Sequence, residues 1–99
     1  MDQVELFKAL SNKTRLLILQ WLKDPETHFS DPEKHVNEAG VCVGQIRKKA
    51  NLTQSTVSEY LSVLQRAGFV ESTRVGQWTY YKRNEDTFKA LKDIIGTEL

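Results

Sequence analysis

The chain has 99 residues, 14 Lys and Arg against 13 Asp and Glu, 39% hydrophobic residues and one cysteine. That length predicts one domain over residues 1–99, and a lone cysteine excludes an intrachain disulfide and fits the reducing cytoplasm. No apolar run approaches the ~20 residues that cross a bilayer, and no basic stretch with a following apolar run opens the chain as a secretory leader would.

Apolar spacing predicts a short helix over 2–10 (DQVELFKAL), with Val4, Phe7 and Leu10 on one side. Ser11 or Asn12 then caps a second helix over 13–23, apolar around much of its girth through Leu16, Leu17, Ile18, Leu19, Trp21 and Leu22. Such a helix is expected at the centre of the core and fully enclosed.

The pattern breaks over 24–41. Asp24-Pro25 and Asp31-Pro32 each favour a turn or a helix start. Pro32 suits the first position of a one- or two-turn helix ending at Gly40. Phe29 and Val36 are the core candidates, so this segment reads as a surface excursion containing a short helix.

Residues 43–50 (VGQIRKKA) read as a helix, and 51–53 as a tight link. The next stretch, 51–68 (NLTQSTVSEYLSVLQRAG), has a good N-cap in Thr53 and a good stop in Gly68. Val57, Tyr60, Leu61 and Leu64 form one apolar stripe, with Ser55, Glu59, Ser62 and Arg66 opposite and Ser58 at the edge. A solvated face usually carries Lys and Glu; small hydroxyls suit close approach to another surface. Two helices joined by a three-residue turn, the second with a polar N-terminal face, describe a helix-turn-helix whose second helix enters the DNA major groove. The bland alternative is a helical hairpin in a core.

After Gly68 the period changes to alternation. Residues 69–74 and 78–82 read as a β-hairpin turning at Gly76, a wing with Arg74 and Gln77 at its tip and Lys82 and Arg83 at its base. Any of these four could touch DNA backbone or minor groove. Residues 85–95 form a last helix whose stripe is Phe88, Leu91, Ile94 and Ile95. Its expected partner is the first helix together with the same helices of a second copy, so Val4, Phe7, Phe88, Leu91 and Ile95 are the expected dimer interface. The fold expected is α+β and mostly α: a winged helix-turn-helix with five or so helices and one β-hairpin wing. Its helix-turn-helix spans about 43–67, its wing about 69–83, and its dimerisation helices about 2–10 and 85–96.

Charge is unevenly spread. Residues 1–42 carry net −2, residues 43–83 net +5 and residues 84–99 net −2. The positive excess coincides with the helix-turn-helix and hairpin, as a DNA footprint requires.

The stretches LSNKTRLLIL at 10–19, CVGQI at 42–46, LTQSTVSEYLSVLQRAGFV at 52–70 and GQWTYY at 76–81 together resemble the arsenic-repressor (ArsR) family of bacterial winged helix-turn-helix regulators. The resemblance implies a homodimer built by the first and last helices, sitting on an operator until a signal of unknown identity releases it. Some positions depart from that pattern. Cys42 matches the first residue of the Cys-x-Cys pair of metal-sensing members, but Gly44 stands at the second. The final helix has no His. Glu59 and Ser62 stand where basic residues are common, and the 24–41 excursion is longer than the usual link.

The expected base readers are Gln54, Ser55, Ser58, Glu59 and Ser62, since Gln suits adenine and Glu suits the cytosine amine. Lys48, Lys49, Thr53, Thr56, Arg74 and Gln77 are expected on phosphates, fixing register. No cofactor or resident metal is expected. His28, His35 and Cys42 would be the ligands of a zinc or copper site, or Cys42 the seat of a redox response, in a metal- or redox-responsive repressor. Enzyme chemistry is not expected: beside Cys42 and a His there is no third orienting group, glycine-rich phosphate loop or acid pair. The rival is a winged-helix module that binds protein alone, and salt dependence separates the two.

Overall fold

Four helices start on a side chain that takes up an amide of the first turn. In the computed structural model, which describes residues 2–29 and 36–99, Asp2 caps α1 (Gln3–Leu10) and Asn12 caps α2 (Lys13–Lys23). Thr53 caps α5 (Gln54–Arg66) and Asn84 caps α6 (Glu85–Asp93). Between them lie the one-turn α3 (Pro25–His28), strands β1 (Val36–Asn37) and β2 (Gly40–Cys42), and α4 (Val43–Ala50). Strands β3 (Val70–Val75) and β4 (Trp78–Arg83) follow α5, and α6 runs into a wider π-helical turn, Ile94–Glu98. The chain therefore has the winged helix-turn-helix architecture expected for it.

The strands form one antiparallel sheet in the order β1-β2-β4-β3. In its register Val41 lies opposite Tyr81, Cys42 opposite Tyr80, and Val75 opposite Trp78. Leu6, Ile18, Val41, Ile46, Val57, Leu61, Leu64 and Phe69 are fully enclosed and form the centre of the core. The end of α5 is pinned to α6, where the buried Thr87 hydroxyl donates to the Gly68 carbonyl at 2.6 Å. Gly68 has φ +87°, the left-handed stop foreseen for it.

Two expectations give way. The short helix of the excursion is α3 at Pro25, upstream of the expected start at Asp31. That expected helix lies partly in residues 30–35, outside the described residues, and its remainder, 36–40, is strand and turn. The Asn37 carboxamide oxygen accepts from the Ala39 amide at 2.8 Å, and Gly40 adopts φ +116° beside β4, so the chain reverses instead of coiling. A second hairpin thus joins the expected wing, and Val41, counted with the excursion, becomes core. The helix α2 is not fully enclosed, because Leu16 is 41% exposed and Leu17 half-buried. Helix α1 faces the core through Leu6 and Ala9, with Val4 exposed and Phe7 half-buried at the edge of the core.

Gly40 is the fulcrum of the unforeseen hairpin: a Cβ there would be driven into the Tyr81 carbonyl. At Gly44 a Cβ would meet nothing within 4 Å. Gly40→Ala should therefore cost at least roughly 1–3 kcal/mol in urea unfolding from backbone strain alone, while Gly44→Ala should stay within about 1 kcal/mol of the parent. Equal effects would mean that the hairpin does not pack on β4 as described.

Candidate nucleic-acid interface

The two-sidedness of α5 sets the interface. Val57, Leu61 and Leu64 have no exposed surface, and Gln54, Ser55, Ser58, Glu59 and Ser62 are all exposed. The five expected base readers thus share one outward surface on a helix that cannot rotate without uncovering its core.

The first turn of α5 is organised by hydroxyls. Thr53 Oγ1 accepts from the Thr56 amide at 3.3 Å, donates to Thr56 Oγ1 at 2.9 Å, and lies 3.3 Å from Ser55 Oγ. Its hydroxyl is engaged by the helix itself. One turn on, Gln54 Nε2 donates to Ser58 Oγ at 3.1 Å, which orients the carboxamide. Before α5, Asn51 takes the left-handed conformation (φ 55°, ψ 47°), and its amide donates to the Arg47 and Lys48 carbonyls. Asn tolerates that geometry better than most residues, so the link needs no glycine. The sequence reading passed over this role; an Asn just after a basic last turn was its signal.

The cations divide. Lys48 and Lys49 are both exposed on α4, but they face different surroundings. The Lys49 ammonium lies 5.4 Å from the Trp21 ring centre and 5.8 Å from that of Phe29, two rings set edge-on 6.4 Å apart. This aromatic corner draws Lys49 toward α2 and α3. Arg15, which the sequence did not single out, donates to the Ala9 and Lys8 carbonyls at 2.7 and 3.0 Å and lies over the Tyr60 ring, fastening the end of α1 to α2 and α5.

On the wing, Arg74 and Gln77 are exposed at the tip, and Arg74 Nε donates to the Gly76 carbonyl at 3.1 Å. Gln65 Nε2 donates to Ser72 Oγ at 3.1 Å, tying α5 to β3. Lys82 faces Glu71 at 3.8 Å. Arg83, read as a wing-base contact, is turned inward: it pairs with Glu85 through two bonds of 2.9 and 3.0 Å and stacks 3.6 Å from the Phe88 ring centre. Burial pushes the Tyr81 phenol above its ordinary range, so it is neutral wherever DNA binding would be measured.

The first and last helices meet. Gln3 Nε2 donates to Glu98 Oε1 at 3.0 Å, and Val4, Ile95 and Leu99 are 59, 53 and 78% exposed. Phe7, Phe88 and Leu91 are half-buried. Of the three residues read as possible ligands, Cys42 is buried, His28 is half-buried on α3, and His35 lies outside the described residues. Among the described residues no three His, Cys, Asp or Glu side chains cluster as a metal site would need. No helix is long and apolar enough to cross a membrane among the described residues.

Comparison with known proteins places this geometry. The model of the arsR family of bacterial regulatory proteins matches residues 35–72. The HTH-type transcriptional regulator YbzH of Bacillus subtilis is 51% identical over 100 residues, covering all of both chains. The transcriptional activator HlyU of Vibrio cholerae is 29% identical, over 93% of this chain and 72% of its own. A solution structure of a homodimeric winged helix-turn-helix DNA-binding domain from Mycobacterium bovis superposes with a TM-score of 0.64 at 28% identity, covering 96% of this chain and 78% of that one.

Proposed function

We propose, from the premise that this chain belongs to the arsR family of bacterial regulatory proteins, that it works as a cytoplasmic homodimeric repressor whose two α5 helices read one operator. That it is a transcriptional regulator with a helix-turn-helix follows from the family. The observation that supports the finer reading is the outward surface of α5: amide, hydroxyl and one carboxylate over a fully buried apolar back.

In this reading the two α5 helices enter successive major grooves about 34 Å apart. Gln54, held by Ser58, presents an acceptor and a donor to an adenine edge, and Glu59 accepts from a cytosine amine. Ser55 and Ser62 complete the readout. Lys48, Thr56, Arg74 and Gln77 hold phosphates, as do the amides beside Thr53. Lys49, drawn to its aromatic corner, fixes α4 against α2 and contributes less to phosphate binding than its position in the sequence suggests. Val4, Phe7, Phe88, Leu91 and Ile95 bury against the partner copy, as a homodimeric relative of the same fold supports. Repression asks only for occupancy of a promoter. The activator name carried by HlyU favours a second reading, in which the same dimer recruits or clears the way for polymerase.

Selection of bound duplexes from a random pool, followed by a salt titration, tests the whole. Binding should weaken with a log–log slope of about −0.9 per neutralised phosphate, and absence of salt-sensitive affinity for any duplex would remove the reading. A reporter placed behind the selected site then gives the sign of control.

Lys48→Ala should flatten that slope by about one phosphate per protomer. Lys49→Ala should lower thermal stability and leave the slope nearly unchanged; a loss of slope equal to that of Lys48→Ala would return Lys49 to the phosphate. Gln54→Ala should cost ~1–3 kcal/mol on the selected duplex and relax preference at one position. Ser58→Ala should relax the same position, and the double variant should lose much less than the two losses added. Ile95→Glu should convert the dimer to a monomer in sedimentation and weaken operator binding; a dimer that survives it is not built on this face.

A further inference from the structure

Between the recognition helix and the wing tip lies a groove of which the reading above uses Lys48 alone. Strand β2 runs straight into α4, and Tyr80 lies opposite Cys42, so Trp78, two residues earlier on β4, extends beside the first turn of α4. There a groove of about 200 Å³ is lined by Cys42, Gly44, Gln45, Arg47, Lys48 and Trp78. Its lining holds two cations and no carboxylate. Trp78 is 44% exposed, a large apolar ring half in water beside those charges. Gly44 opens the floor, since a Cβ on it would meet nothing within 4 Å of this chain.

We propose that this groove is a second DNA-binding surface, which takes the sugar–phosphate backbone of one operator strand where it passes from the groove read by α5 toward the wing tip. The inference rests on the DNA reading above and adds residues to it. Lys48 and Gln45 hold a phosphate, the Trp78 indole lies against the flanking deoxyribose, and Arg47 adds long-range attraction. Charge complementarity selects the occupant: two cations with no acidic neighbour in the lining suit a polyanion and repel a basic partner. Continuity supports it as well. Lys48 belongs to the helix that leads through Asn51 into α5, and Trp78 follows Gln77 at the wing tip. An indole offers an apolar face to a sugar without reading bases, so the surface supplies affinity and register.

The chain has two tryptophans, so Trp21→Phe leaves Trp78 as the sole reporter. That variant is mixed with a labelled duplex from the selected pool, with anisotropy reporting binding and acrylamide quenching reporting Trp78. On saturation, Trp78 should lose most of its accessibility. Trp78→Ala and Gln45→Ala should each weaken binding, and each by the same factor on selected and scrambled duplexes. A complex that forms by anisotropy while Trp78 stays as quenchable as in the free protein overturns the groove and leaves the α5 reading standing. A loss confined to the selected duplex also overturns it, because the groove would then read bases. If no duplex binds, the α5 reading fails and the groove falls with it. The quenching arm keeps Trp78 itself intact, so it decides the matter even if Trp78→Ala is poorly folded.

Discussion

The structure depends on the burial of one side of α5. Val57, Leu61 and Leu64 are completely enclosed, each contributing on the order of 1.5–3 kcal/mol by leaving water. A helix held so firmly on its back has its front fixed as well. Rotating α5 by one residue would turn roughly 100° of the wheel and bring hydroxyls into the core, where each would need a partner. The aim of Gln54, Ser58 and Ser62 is therefore decided by leucine and valine that no ligand touches. Around this helix the other elements act as braces: the Arg15 contacts to the end of α1 and to Tyr60, the Gln65 bond to the wing, and the Thr87 bond to the carbonyl of Gly68.

Much of this was legible in the residues. A Thr cap, an apolar stripe at helical spacing and a closing Gly gave α5 to its ends. Alternation around Gly76 likewise gave the wing, because these signals are local and the tertiary structure agrees with each. The excursion was misread for the opposite reason. Pro32 invites a helix, but the turn at Asn37 and the left-handed Gly40 answer to β4, a strand forty residues away, whose Tyr81 lies opposite Val41. No periodicity over seven residues carries that pairing.

Side-chain allegiance was the other hidden layer. A count of charges sees Lys49, Lys82 and Arg83 as three equivalent cations. The fold shows one over an aromatic corner, one facing Glu71 and one clamped by Glu85 over Phe88. Apolar spacing paired the outward side of α1 with the last helix, but it could not show the polar bond that joins their ends. The bond from Gln3 to Glu98 closes ninety-five residues of separation, which no local pattern encodes.

These allegiances bear on why a regulator built on this chain would gain from pairing two copies. The middle of the chain carries net +5, but several of its cations are occupied by this chain's own carboxylates, rings and carbonyls. The charge left for phosphates on one copy is therefore smaller than the sequence suggests, and Glu59 subtracts from it on the reading face itself. Each phosphate neutralised releases counterions and adds to affinity as a multiplied factor. A single copy with few such contacts would hold duplex weakly at cellular salt, and sequence preference carried by short hydroxyls and one amide adds only a little per base. Joining two copies doubles the number of phosphates met in one binding event and makes the second half-site an intramolecular encounter. An exposed Val4–Ile95 face beside a modestly charged α5 face fits the proposed dimer as one design: the apolar surface would supply through pairing what the basic surface lacks alone.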